Sequence, residues 1–149
     1  MAVLYLEDFA AGQIYRSGAV AVDAAAIKRY AAEYDPQPFH LDEEAADKSF
    51  FQGLAASGWH TASLTMRLLV DSELTPAGGI VGAGLDEFRW PRPVRPGDSL
   101  RVECEVLEVR PSKSRPGQGL VKIRVTTLNQ NGEPVLVMVP NLVVPRRPG

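Results

Sequence analysis

Gly53-Leu54-Ala55-Ala56-Ser57-Gly58-Trp59-His60 is a run of small residues that ends in the first turn of a helix, and that helix decides the fold. Its pattern predicts a helix from about Trp59 to Val70, with Trp59, Ala62, Leu64, Met66, Leu68, Leu69 and Val70 spreading apolar surface around most of the wheel. A helix apolar on most sides is expected to be buried. Ser57 or Gly58 at its start leaves backbone N–H groups without helical partners, facing outward from the N-terminus.

Working outward, Tyr15 to Val22 has strand-like composition, and Asp23 can cap a helix that follows. Ile27, Tyr30, Ala31 and Tyr34 sit at helical spacing, with Lys28, Arg29 and Glu33 elsewhere on the wheel. Asp35-Pro36-Gln37-Pro38-Phe39-His40 comes next. Each proline fixes its own φ and biases the residue before it toward extended backbone, so a stiff, kinked connector is expected here and not regular helix. Asp42-Glu43-Glu44 then puts three acids at the start of a short helix through about Lys48, where the macrodipole favours them.

Beyond the central helix the character changes to strands. Ile80 to Trp90 is Gly-bearing and partly alternating, and Arg95-Pro96-Gly97-Asp98 is a turn signal. Leu100, Val102, Cys104 and Val106 alternate with Arg101, Glu103 and Glu105. Pro111 to Gln118 is a polar loop. Val121, Ile123 and Val125 alternate with Lys122 and Arg124, and Asn131-Gly132 predicts a tight hairpin into Val135 to Val144. The order is strand, helices, one buried helix, then about four antiparallel strands. The economical packing is α+β: a curved antiparallel sheet wrapped around the central helix, which is a hotdog-type fold.

The 149 residues fit one domain, 1–149, with enough chain for a sizeable core. A net charge of −2 with scattered basic residues gives no electrostatic case for nucleic-acid binding. The one basic cluster, Arg146-Arg147 between Pro145 and Pro148, reads as a frayed tail. A single cysteine excludes an internal disulfide and any multi-cysteine metal site. No apolar run is long enough to span a bilayer, and the N-terminus lacks a basic n-region. The expectation is a soluble cytoplasmic protein.

Two segments can carry chemistry. Asp35 and His40 are a carboxylate and an imidazole five positions apart on a stiff loop, which could share a water as acid and base. The plainer reading is that Asp35 turns the connector while His40 is a satisfied residue at a helix start. Gly53 to His60 can be simple helix initiation, with small residues for close packing and Ser57 as cap. It can also be an oxyanion hole, with a glycine amide at a helix N-terminus. His60, inside the helix, is expected to be packed and hydrogen-bonded. Cys104 lies on the apolar face of its strand and reads as core. Ser57 lacks the strand-to-helix G-x-S-x-G setting of a hydrolase nucleophile. Two histidines twenty positions apart, without a cysteine companion, make a poor metal site. No phosphate-cradling or dinucleotide fingerprint is present.

Taken together, Tyr30 to His40, Ala45-Ala46 and Gly53 to Thr61 resemble the MaoC-like dehydratases, the (R)-specific enoyl-CoA hydratase group of hotdog proteins. The Asp-x-x-Pro-x-His pattern followed by a glycine at the buried helix start carries the likeness, and the later strands match in order and length. The resemblance implies that Asp35 and His40 hold and activate water, and that the Gly58 N–H, with Ser57 beside it, binds the thioester oxygen. It implies an acyl-CoA thioester as substrate and no cofactor beyond the coenzyme A that the substrate carries, and the exposed edge of a single hotdog sheet predicts a homodimer or higher homo-oligomer. Gln37 stands where many members have Asn, and Met66 where some have a serine, with Ser63 one turn earlier. The rivals are a hotdog acyl-CoA thioesterase and a non-catalytic acyl-CoA-binding subunit. Gly58→Val is expected to cut turnover with stability little changed, and Gly53→Ala to be milder.

Overall fold

Alternation builds the sheet. Leu100, Val102, Cys104 and Val106 all turn inward on strand β3 (Ser99–Pro111), while Arg101, Glu103 and Glu105 stay half-exposed on the other face. The computed structural model describes residues 2–149. Before β3 come β1 (Ile14–Ala21), helices α1 (Ala24–Tyr34), α2 (Pro38–Leu41), α3 (Glu43–Asp47) and α4 (Gly58–Val70), and strand β2 (Val81–Arg89). After it come β4 (Gln118–Leu128) and β5 (Pro134–Pro145). Among the described residues the five strands form one antiparallel sheet in the order β1-β3-β4-β5-β2.

Helix α4 lies against β1, β3 and β5, and the Thr65 and Thr127 hydroxyls meet at 2.5 Å to tie it to β4. The core between helix and sheet holds Leu68, Leu69, Val102, Cys104, Val121, Ile123 and Leu142. This is the α+β hotdog arrangement expected from the sequence. Helix α4 departs from expectation in one respect. It buries His60, Thr61, Thr65, Leu68 and Leu69, but Trp59, Met66 and Val70 are exposed. A single sheet covers only one side of the helix: Trp59 packs on Phe88 and Trp90 at the helix start, while Met66 and Val70 stay exposed.

Three further local expectations are corrected. The connector after Asp35 is not wholly non-helical: Pro38 opens the one-turn helix α2. Proline suits that position, because its missing N–H would have had no helical partner there and its φ is preset for the turn. The β4–β5 connection is longer than a two-residue hairpin. Asn129 Oδ1 accepts the N–H groups of Asn131 and Glu133, and Gly132 takes φ 74°. The Arg146-Arg147 segment is not a frayed tail. Arg147 donates to the Asp8 carboxylate, its backbone N–H donates to Glu7, and its guanidinium lies 5.3 Å from the Tyr5 ring centroid. No helix among the described residues is long and apolar enough to cross a membrane.

Candidate active site

Asp35 stands at the C-terminal end of α1, where its N–H still donates to Ala31 O. Pro36 and Pro38 then turn the chain so that α2 presents His40 back toward it. The imidazole is 5% exposed and its Nε2 lies 3.3 Å from Asp35 Oδ2. On the other side of the ring, Nδ1 is 2.6 Å from Ala55 O. A carbonyl only accepts, so Nδ1 carries a hydrogen, and in the neutral imidazole Nε2 keeps its lone pair. The lone pair and the carboxylate oxygen therefore face the same space as two acceptors, an arrangement satisfied by a water donating to both.

The carboxylate is well supported. Gln37 Nε2 donates to Asp35 Oδ1. Burial raises the Asp35 carboxyl, but hydrogen bonds from Ser57 and Gln37 and the adjacent imidazole outweigh it and hold the group below its usual value. Gln37 thus supports the carboxylate from within the connector.

Ser57 is fully buried as the N-cap of α4, its Oγ accepting the Trp59 N–H at 3.2 Å. That side chain holds the helix start and Asp35 and does not line the neighbouring cavity. Gly58 does. The cavity measures about 620 Å³ and is walled by Asp35, His40, Gly58, Phe51, Trp59 and Trp90, among others. The Gly58 N–H finds no acceptor among the described residues. Trp90 Nε1 donates to Gly58 O at 3.0 Å, and a Cβ built on Gly58 would fall 2.6 Å from the indole. A side chain at Gly58 therefore collides with Trp90, so Gly58→Val would disturb packing as well as the amide. Gly53 is also tighter than expected. Its φ is 151° and an added Cβ would sit 3.0 Å from Arg95 Nη1, so Gly53→Ala is not the mild change that its sequence position suggested.

The remaining candidates are quieter. His60 does not have the hydrogen bond expected of it: it stacks on Tyr30 at 4.6 Å between centroids, and its buried Nδ1 has no partner. Met66 is exposed, while Ser63 is bonded to Tyr30 and Trp59 O, so neither occupies the space between Asp35 and Gly58. Cys104 is 1% exposed, and burial, with Glu105 adding to it, pushes its thiol up to about 12. Among the described residues no group of three His, Cys, Asp or Glu side chains could hold a metal.

The sequence reading overlooked Trp90, Val94 and Arg95, which enter from the segment between β2 and β3. A signal was present: Trp90-Pro91-Arg92-Pro93-Val94 repeats the spaced prolines of Asp35-Pro36-Gln37-Pro38, a second stiff connector that walls the same cavity.

A sheet of this order around α4 brings a carboxylate, an imidazole and a helix-start glycine onto one cavity. Residues 8–129 match the family described as "MaoC like domain", and the chain belongs to that family. It is similar to a solved MaoC-like dehydratase from Rhodospirillum rubrum, at 58% identity and TM-score 0.95, covering 98% of this chain and 99% of that one. The unliganded R-hydratase PhaJ1 from Pseudomonas aeruginosa aligns at 26% identity and TM-score 0.75, over 96% of this chain and 86% of the other. The uncharacterized protein YdeM of Bacillus subtilis is 32% identical over 125 residues, 84% of this chain and 87% of YdeM.

Proposed function

We propose that this chain adds or removes water across the double bond of a 2-enoyl-CoA thioester, with Asp35 and His40 as the acid–base pair and the Gly58 N–H as oxyanion donor. The observation that carries the reading is the convergence of Asp35 Oδ2 and His40 Nε2, 3.3 Å apart, with Nδ1 committed to Ala55 O. A water held between them has its oxygen lone pairs free to attack. As its oxygen bonds to the β-carbon of the enoyl group, one of its protons passes to the pair. The electrons of the carbon–carbon double bond shift toward the thioester carbonyl, giving an enolate-like oxygen. Collapse of that enolate takes the proton back at the α-carbon, so that one water has been added and both catalytic groups are restored. Dehydration is the same path reversed.

The enolate oxygen needs a donor, and the free Gly58 N–H at the start of a 13-residue helix favours negative charge there. The hydratase and dehydratase names of relatives support the reaction class. The acyl-CoA form of the substrate follows the sequence resemblance.

The test is direct. Purified protein incubated with trans-2-enoyl-CoAs of several chain lengths and branching patterns should bleach the enoyl absorbance without releasing free thiol. Thiol release in step with substrate loss would make the protein a thioesterase. Binding without turnover of any substrate in the set would make it a non-catalytic acyl-CoA-binding subunit.

A further inference from the structure

We infer that Arg95 is a positioning residue for His40, acting through the loop whose Ala55 carbonyl holds the imidazole. This inference rests on the catalytic reading of His40 given above. Arg95 Nη1 donates to Gly53 O at 2.8 Å and to Leu54 O at 3.3 Å, and Nη2 donates to Phe51 O. Three carbonyls of one short loop thus converge on one guanidinium. None of the ion pairs made by arginines among the described residues includes Arg95, so its charge is spent on these carbonyls and not on a carboxylate.

The loop so gathered carries the site. Ala55 follows Leu54 directly, and its O accepts the His40 Nδ1–H at 2.6 Å while its N–H donates to Phe39 O at 3.2 Å. Ala56 N–H donates to Val94 O at 2.9 Å, so the backbone next to Arg95 grips the loop as well. Phe51, whose carbonyl Arg95 also holds, lines the cavity with its ring 6.0 Å from the His40 ring. Arg95 itself is fixed from behind. Its N–H donates to Asp98 Oδ2 at 2.8 Å, and Gln130 Nε2 donates to Asp98 Oδ1 at 3.0 Å.

A planar guanidinium with five N–H donors can hold three carbonyls in one fixed geometry, and a lysine ammonium cannot reproduce that fork. Without it the three carbonyls lose their donor and repel one another, the loop relaxes, and the Ala55 oxygen moves relative to Nδ1. The His40 ring is then free to swing or to change tautomer, which takes the Nε2 lone pair away from Asp35.

The experiment compares wild type, Arg95→Ala and Arg95→Lys in kinetics on an enoyl-CoA and in ¹⁵N–¹H spectra of histidine-labelled protein. For Arg95→Ala, kcat should fall roughly 10- to 100-fold with KM changed by less than about threefold, the cost of a misplaced catalytic group with binding preserved. Low, non-denaturing guanidinium chloride should restore part of the loss in Arg95→Ala and none in wild type. The His40 Nδ1–H resonance should exchange slowly in wild type, broaden or vanish in the variant, and return with guanidinium. Arg95→Lys should fall between the two, and stands in if the alanine variant does not fold. A folded variant with wild-type kcat and an unchanged Nδ1–H signal overturns the inference. So does a loss that follows melting temperature alone and resists guanidinium. The spectra need no substrate, so a wild type inactive on every enoyl-CoA would refute the hydratase reading while leaving the link between Arg95 and His40 to be decided on its own.

Discussion

Asp35 and His40 are held by different means, and their substitutions should separate accordingly. Asp35→Asn keeps the shape of the loop but removes the charge, and His40→Ala removes the imidazole. Each should lower turnover by roughly 10² or more with the fold intact, and near-native activity in both would rule out the pair. Asp35 sits below the ordinary carboxylate range, so it stays ionised through neutral pH. What it contributes to stability is present above its unfolded value and lost only as pH falls through the lower folded one. His60 is acid-sensitive for a different reason. Burial, with Arg29 adding to it, pulls its imidazole below the usual value of 6.5. The unfolded chain then binds the proton more readily, so His60 favours the fold at neutral pH and less so as pH drops through 6.5 and below. His60→Phe keeps the stack on Tyr30 and should shrink the fall in melting temperature between neutral and mildly acidic buffer. An equal fall in both proteins would mean that other groups set the acid limit.

At the scale of elements, both Gly53 and Gly58 are sterically confined. Gly53→Ala places a β-carbon at φ 151° against Arg95, a backbone change expected to cost about 1 kcal/mol or more, or roughly 2–4 °C of melting temperature. Gly58→Ala should also lower the melting temperature, but by less once Trp90→Ala has removed the indole it strikes. A thermal double-mutant cycle reads that coupling directly, and strictly additive shifts would show that the contact is not tight. These effects mark the limit of what was legible in the sequence. The strands and the helix caps could be read because their signals are local: alternation at Leu100 to Val106, and Asp23 placed before an apolar period. Asp35, His40 and Gly58 could be picked out for the same reason. Trp90 and Arg95 could not, because they meet Gly58 and Gly53 across 32 and 42 positions of chain, which no short-range pattern encodes. His60 failed as a hydrogen-bonded residue because stacking on Tyr30 can satisfy a ring without satisfying its nitrogen.

For the whole molecule, we propose a homodimer at least. Among the described residues strand β2 pairs with β5 only, through two interruptions in register, and leaves its other edge open with Val81 and Leu85 half-exposed. Open apolar edges are a liability that proteins cover or join, and the uncovered side of α4 adds Met66 and Val70. Light scattering should find no species smaller than a dimer at working concentrations, and a monomer still active at nanomolar concentration would oppose this. One feature of the cavity has a use in solution. The chain has two tryptophans, and both stand on the cavity wall, their rings 5.4 Å apart and nearly perpendicular. All indole emission from this protein therefore originates at the proposed site, and two chromophores so close and so crossed should couple as an exciton pair in circular dichroism. An acyl group entering the cavity should quench that emission and alter the couplet, so occupancy can be followed without a label or turnover.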